Sequence, residues 1–124
     1  MVKNLQSGSG WRLGCDRAAS EFQGLVGGDD WAIELTAAEF ADFCRLATQL
    51  AATMAAMSAA LSDQERLTCE QETSRIWLEA EGYADRYSLR FILLTGRRGE
   101  GGWAVAATKQ LLQALANSNF FEAE

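Results

Sequence analysis

Histidine is absent from all 124 residues, and so is proline. Without histidine the chain lacks the one side chain that titrates near neutrality unaided, which is also the commonest metal ligand and general base. Most hydrolytic and metal-dependent mechanisms lose their usual residue, so the chain reads as a protein that is not an enzyme and takes no cofactor. Average usage of about 5% would supply roughly six prolines. With none, the backbone can donate hydrogen bonds throughout, which suits a sheet-rich fold with glycine-built turns.

Cysteine is scarce. Cys15, Cys44 and Cys69 are odd in number, widely spaced and never paired as C-x-x-C, the pattern of neither a disulfide framework nor a zinc site. They are expected to be small buried hydrophobes. No apolar run approaches the roughly 20 residues that cross a bilayer, and Met1-Val2-Lys3-Asn4 lacks the apolar core of a secretion signal. A cytoplasmic protein is expected. Basic residues are in deficit, 11 against 17 acidic ones, and the net charge of −6 repels phosphate backbones and anionic membranes at long range. No phosphate-cradling glycine loop of the P-loop or dinucleotide type lies between a strand and a helix.

What is present makes one core. The chain is 48% hydrophobic and falls in the usual single-domain range of about 100 to 150 residues. The Ser- and Gly-rich residues 1–9 read as a flexible tail, leaving residues 10–124 as one α+β domain. Trp11, Leu13 and Cys15 alternate with Arg12 and Gly14 as in a half-buried strand. A short strand is expected over residues 21–26, and after a turn at Gly27-Gly28-Asp29-Asp30 a third over residues 31–35.

The strongest local signal follows. Thr36 and Glu39 have the spacing of a capping box, with Leu35 and Phe40 at the staple positions. Phe40, Phe43, Ala47, Leu50, Met54, Met57 and Leu61 then recur at alternating spacings of three and four, predicting one helix over residues 37–61. Its Ala- and Met-rich second half has side chains small enough for close approach to the sheet or to a second copy. Beyond it the period returns to two: strands near Leu67 and Cys69, at Ile76, Leu78 and Ala80, and, after a turn at Gly82, over residues 83–95. The glycine-rich residues 96–102 read as a turn, and Leu111, Leu112 and Leu115 mark a helix ending near Asn117. Two pseudo-repeated units emerge, three strands and a helix, then four strands and a helix. In both, a glycine cluster precedes a tryptophan, at Trp31 and Trp103.

Two features stand out as a binding surface. Trp77 shares the polar face of its strand with Glu79 and Glu81, so it reads as a contact point for a partner, a stacking platform, or a ring covered by a loop or second subunit. Arg97-Arg98, backed by Arg86 and Arg90, is the only concentrated basic feature; it reads as an anion grip or as a solvated turn. Glu70, Glu72, Glu79 and Glu81 read as solvated surface, since alternation sets Glu79 and Glu81 opposite Ile76 and Leu78. Trp11, Trp31 and Trp103 read as core.

The runs Gly10-Trp11-Arg12-Leu13-Gly14, Asp30-Trp31-Ala32-Ile33-Glu34-Leu35-Thr36, Trp77-Leu78-Glu79-Ala80-Glu81-Gly82, Ser88-Leu89-Arg90-Phe91 and Arg97-Arg98 with Glu100-Gly101 and Trp103 resemble a cyanobacterial family of small proteins catalogued as a domain of unknown function. The resemblance implies a fold similar to Whirly-type single-stranded-DNA-binding transcriptional regulators, an antiparallel sheet with two helices in duplicated units. The expected function is a non-enzymatic interaction module, a homodimer or a binder of another protein, whose binding surface includes Trp77 or the turn of Arg97 and Arg98. The alternative is single-stranded nucleic-acid binding in the Whirly manner, disfavoured by the net negative charge.

Overall fold

The computed structural model describes residues 3–60 and 65–118. The elements run β1 (Lys3–Gly8), β2 (Trp11–Asp16), β3 (Gly24–Gly27), β4 (Ala32–Leu35), α1 (Ala37–Ala60), β5 (Leu67–Glu72), β6 (Ile76–Tyr83), β7 (Arg86–Leu93), β8 (Gly99–Trp103) and α2 (Val105–Ala116). Two antiparallel four-stranded meanders, β1-β2-β3-β4 and β5-β6-β7-β8, each end in a helix. The expected α+β fold with duplicated strand-helix units is what forms.

The units match more closely than the sequence suggests. Residues 3–8 are not a tail: they pair with β2 from Lys3 opposite Asp16 to Gly8 opposite Trp11, giving the first unit its fourth strand. Serine and glycine weaken a strand by propensity alone, but pairing along a half-buried neighbour overrides that preference. Residues 1 and 2 of the expected tail lie outside the described residues.

The glycines also fall elsewhere than expected. Gly82 is inside β6, the turn comes at Ala84-Asp85, and β7 begins at Arg86. Gly99, Gly101 and Gly102 belong to β8, opposite Leu93, Phe91 and Arg90 of β7. Trp31 and Trp103 are therefore not equivalent positions. Trp103 ends its strand beside the helix cap, whereas Trp31 precedes β4, and the residue in Trp103's place is Leu35.

Glycine in β8 serves a contact. A Cβ at Gly101 would overlap the Trp31 ring, and one at Gly99 would stand 2.9 Å from Ile33 Cδ1. The bare strand thus lets β4 and the residue before it press onto β8, joining the two sheets at their edges. Trp31 is half-buried there rather than enclosed, while Trp11 and Trp103 are buried.

Helix α1 confirms its signature in detail. The Thr36 backbone N–H donates to Glu39 Oε1 at 2.9 Å, and the Glu39 N–H donates to Thr36 Oγ1 at 3.2 Å. Phe40, Phe43, Ala47, Leu50 and Met54 are buried, Met57 is half-buried, and Leu61 lies outside the described residues. The helix packs on β5 and β6 and touches β3 and β4, while α2 packs on β7, β2 and β1. Each helix thus bridges both sheets. Of the cysteines only Cys44 is buried; Cys15 and Cys69 are half-buried.

Candidate functional site

Strand register builds the outer face of the second sheet row by row. Glu72, Trp77, Ile92 and Glu100 stand side by side across β5, β6, β7 and β8, followed by Glu70, Glu79, Arg90 and Gly102, then by Thr68, Glu81 and Ser88. Diagonal neighbours on such a face are within reach of long side chains. Trp77 Nε1 donates to Glu70 Oε1 at 3.2 Å, and the Arg90 guanidinium lies 5.5 Å from the Trp77 ring centroid. Arg90 also pairs with Glu79 at 3.5 Å and Glu100 at 4.0 Å.

Farther along the same face, Tyr83 carries Arg86 at 4.6 Å and Arg66 at 5.7 Å from its ring centroid. Arg66 also pairs with Glu81 at 3.4 Å. Alternation in the sequence places Trp77 and Tyr83 together, but the pairing of each ring with a guanidinium depends on which strands lie adjacent. Trp77 is half-buried under these contacts. A tryptophan with a guanidinium on its ring and its N–H bonded is pre-positioned, and an exposed cation–π contact such as that of Arg90 adds about 0.5–1 kcal/mol.

The Arg97-Arg98 turn does not act as one basic tip. Arg97 Nη2 donates to Glu39 Oε1, Nη1 donates to the Glu34 carbonyl at 2.8 Å, and the guanidinium sits 4.7 Å from the Phe22 centroid. Arg97 is thereby committed to the start of α1. Arg98 is exposed at φ 51°, the left-handed region rarely adopted by non-glycine residues. Trp77 lies on the sheet face and Arg97 at the α1 terminus, so the two alternative surfaces are in separate places.

Two carboxylates of α1 are buried, Glu39 of the capping box and Asp42, which has no such local signature. Glu39 receives Thr95 Oγ1 at 2.9 Å besides Arg97. Asp42 receives Thr73 Oγ1 at 2.8 Å and Arg75 Nη1 and Arg45 Nη2 at 3.1 Å each. One helical turn thus fastens both the β5–β6 and β7–β8 connections. Burial pushes both carboxyl pKa values up, but the combined hydrogen bonds and cations outweigh it and hold each below its ordinary value. Their i, i+3 spacing is visible in the sequence; their partners, 31 to 58 residues away, are not. Fully bonded carboxylates of lowered pKa are anchors rather than proton carriers.

A groove of about 660 Å³ runs between α1, α2 and the β6–β7 turn, with Ala51, Ala55, Ala84, Val105 and Leu112 in its walls. Its polar groups include Lys109 and Tyr87, whose hydroxyl is pushed up by burial. Among the described residues, no three His, Cys, Asp or Glu side chains are grouped to hold a metal. No helix among them is long and apolar enough to cross a membrane.

The chain belongs to the family described as a domain of unknown function, DUF1818, which it matches over residues 6–118. It is similar to the crystal structure of a protein of unknown function from Prochlorococcus sp. NATL2A, described as of the DUF155 family. The two share 27% identity with a TM-score of 0.86, covering 93% of this chain and 97% of that one. No curated protein matches the chain.

Proposed function

We propose that this chain is a non-enzymatic interaction module whose outer β5–β8 face receives a cationic segment of a protein partner. The observation that carries the reading is the setting of Trp77: a half-buried ring, its N–H on Glu70 and its face under Arg90, surrounded by Glu72, Glu79 and Glu100. A partner's arginine or lysine can exchange with Arg90 on the ring and pair with the carboxylates it leaves. The loss of Arg97 to the helix terminus removes the main alternative grip for an anion.

The Whirly resemblance gives a second reading, single-stranded nucleic-acid binding. Trp77 and Tyr83 on one exposed face, each beside a guanidinium, favour it, because bases stack on such rings. The carboxylates flanking Trp77 oppose it.

Titration of a fluorescent oligo-arginine peptide and a labelled oligothymidylate at low salt separates the two. The peptide is expected to bind, at least tenfold more weakly to Trp77→Ala and Glu79→Gln than to the parent protein, while Glu21→Gln, the same charge change at an exposed site elsewhere, leaves affinity unchanged. Equal loss in Glu21→Gln and Glu79→Gln rejects the assigned face. Salt-sensitive oligonucleotide binding that Trp77→Ala abolishes establishes the second reading instead.

A further inference from the structure

We propose that β1 is the edge at which two copies of this chain pair, antiparallel and centred on Leu5, so that the first sheet continues from one copy into the other. This deepens the reading of an interaction module by naming one partner, a second copy, on a different sheet from the Trp77 face. The two can fail independently.

Sheet edges are usually blunted with charge, because an open row of N–H and C=O groups is a template for another strand. The outer strand of the second sheet follows that rule: β5 carries Glu70 and Glu72, both exposed. Strand β4 has only four residues, and its Glu34 carbonyl is taken by Arg97. Strand β8 carries Glu100 and lies against Trp31 and Ile33. In contrast β1 is six residues long, and Asn4 through Gly8 bear no charge, with Asn4, Leu5, Ser7 and Gly8 exposed. Asp16 and Glu34 lie near Leu5 on the same face, but between Asn4 and Gly8 the edge itself carries no carboxylate, and there two molecules of net charge −6 meet at least cost.

Leu5 fixes the register. It is 56% exposed, more than any other large hydrophobic among the described residues, Val105 following at 43%. Across the sheet it stands in a row with Gly14 and Leu25, which Glu34 ends at the far edge, and a Cβ at Gly14 would come within 2.9 Å of Leu5 Cδ1, so Leu5 lies over the bare backbone there. Pairing Leu5 with its counterpart extends this row from Leu25 of one copy to Leu25 of the other. Two half-open apolar patches become one closed strip. A shift by one residue would set Leu5 opposite Gln6, which points to the other face.

Light scattering on the full chain tests this. Twice the chain mass is expected for the parent protein, and the single mass for Leu5→Asp at the same concentration, a loss of at least 30-fold in dimer affinity with unchanged circular dichroism. A parent protein that stays monomeric up to about 1 mM overturns the proposal, as does a Leu5→Asp protein that remains dimeric. Independently of stability, Leu5→Cys should cross-link to its own copy on oxidation, because directly opposed antiparallel residues have the Cα spacing a disulfide needs. Asn4→Cys should not. Equal cross-linking of both variants, or of neither, also overturns the assigned register.

Discussion

Trp31 and Trp103 meet with ring centroids 5.3 Å apart and planes tilted by 48°. Trp103 continues the cluster to Phe43 at 5.8 Å and Phe91 at 6.3 Å, and its Nε1 donates to the buried Gly27 carbonyl at 2.9 Å. The indole of the second unit is thus bonded to the backbone of the first, with the first unit's own tryptophan alongside.

Because Trp31 occupies the space a side chain at position 101 would need, Gly101→Ala is expected to cost about 1–3 kcal/mol by overpacking. Urea denaturation measures it. Gly96→Ala, where nothing lies within 4 Å of the added carbon, is the matched control and should change stability little.

Removing Arg97 leaves the buried Glu39 carboxylate short of its cation, so Arg97→Ala is expected to destabilise by about 1.5–3 kcal/mol. The same substitution at the exposed Arg98 should cost far less. Thermal melts of the two variants side by side test the claim that the basic turn is divided between a structural residue and a surface one.

Glu39 and Asp42 also set an acid limit. Their folded pKa values lie below the ordinary 4.5 and 3.8, so the unfolded chain binds more protons as pH falls. The stability they supply is complete above those ordinary values and disappears as pH drops through the folded ones. Melting temperature from pH 7 to pH 2 should therefore fall less steeply in Asp42→Asn than in the parent protein, although Asp42→Asn starts lower.

Trp77→Ala should cost about 1 kcal/mol or less, since its contacts are exposed surface pairs. Phe91→Ala, fully buried in the aromatic cluster, should cost about 3–5 kcal/mol. Comparable losses would mark Trp77 as a structural residue.

Burial pushes the Cys44 thiol far up from its ordinary value, with the neighbouring Cys15 adding to the effect. A thiol-specific reagent on the folded protein at pH 8 should therefore label Cys15 and Cys69 well before Cys44, whose labelling waits for unfolding. Mass mapping of the modified peptides reads the order.

Helix α1 was legible because its signals are local: the capping box and the apolar stripe lie within one segment and need no partner to be recognised. The duplicated units were legible in part, from alternation: the second unit's four strands and helix were, whereas the first unit's opening strand was not, and the two glycine–tryptophan runs hold different places in their units. Less visible was anything decided across the fold. Gly99 and Gly101 looked like turn residues because their reason for being glycine, the Trp31 and Ile33 side chains, lies about 70 residues earlier. Arg97 looked like surface because its carboxylate lies 58 residues away. Lys3 to Gly8 looked like a tail because strand pairing, not composition, orders them. At Trp77 the sequence indicated the correct face but not the arginine that lies on the ring.

Since α1 spans the first unit and the β5–β6 layer, while α2 closes β7 against β2, neither half owns a complete interior. A chain severed between α1 and β5 would yield two fragments that are each incomplete when alone yet complementary when mixed. Reassembly of such fragments would turn the pseudo-repeat into a reporter of their association.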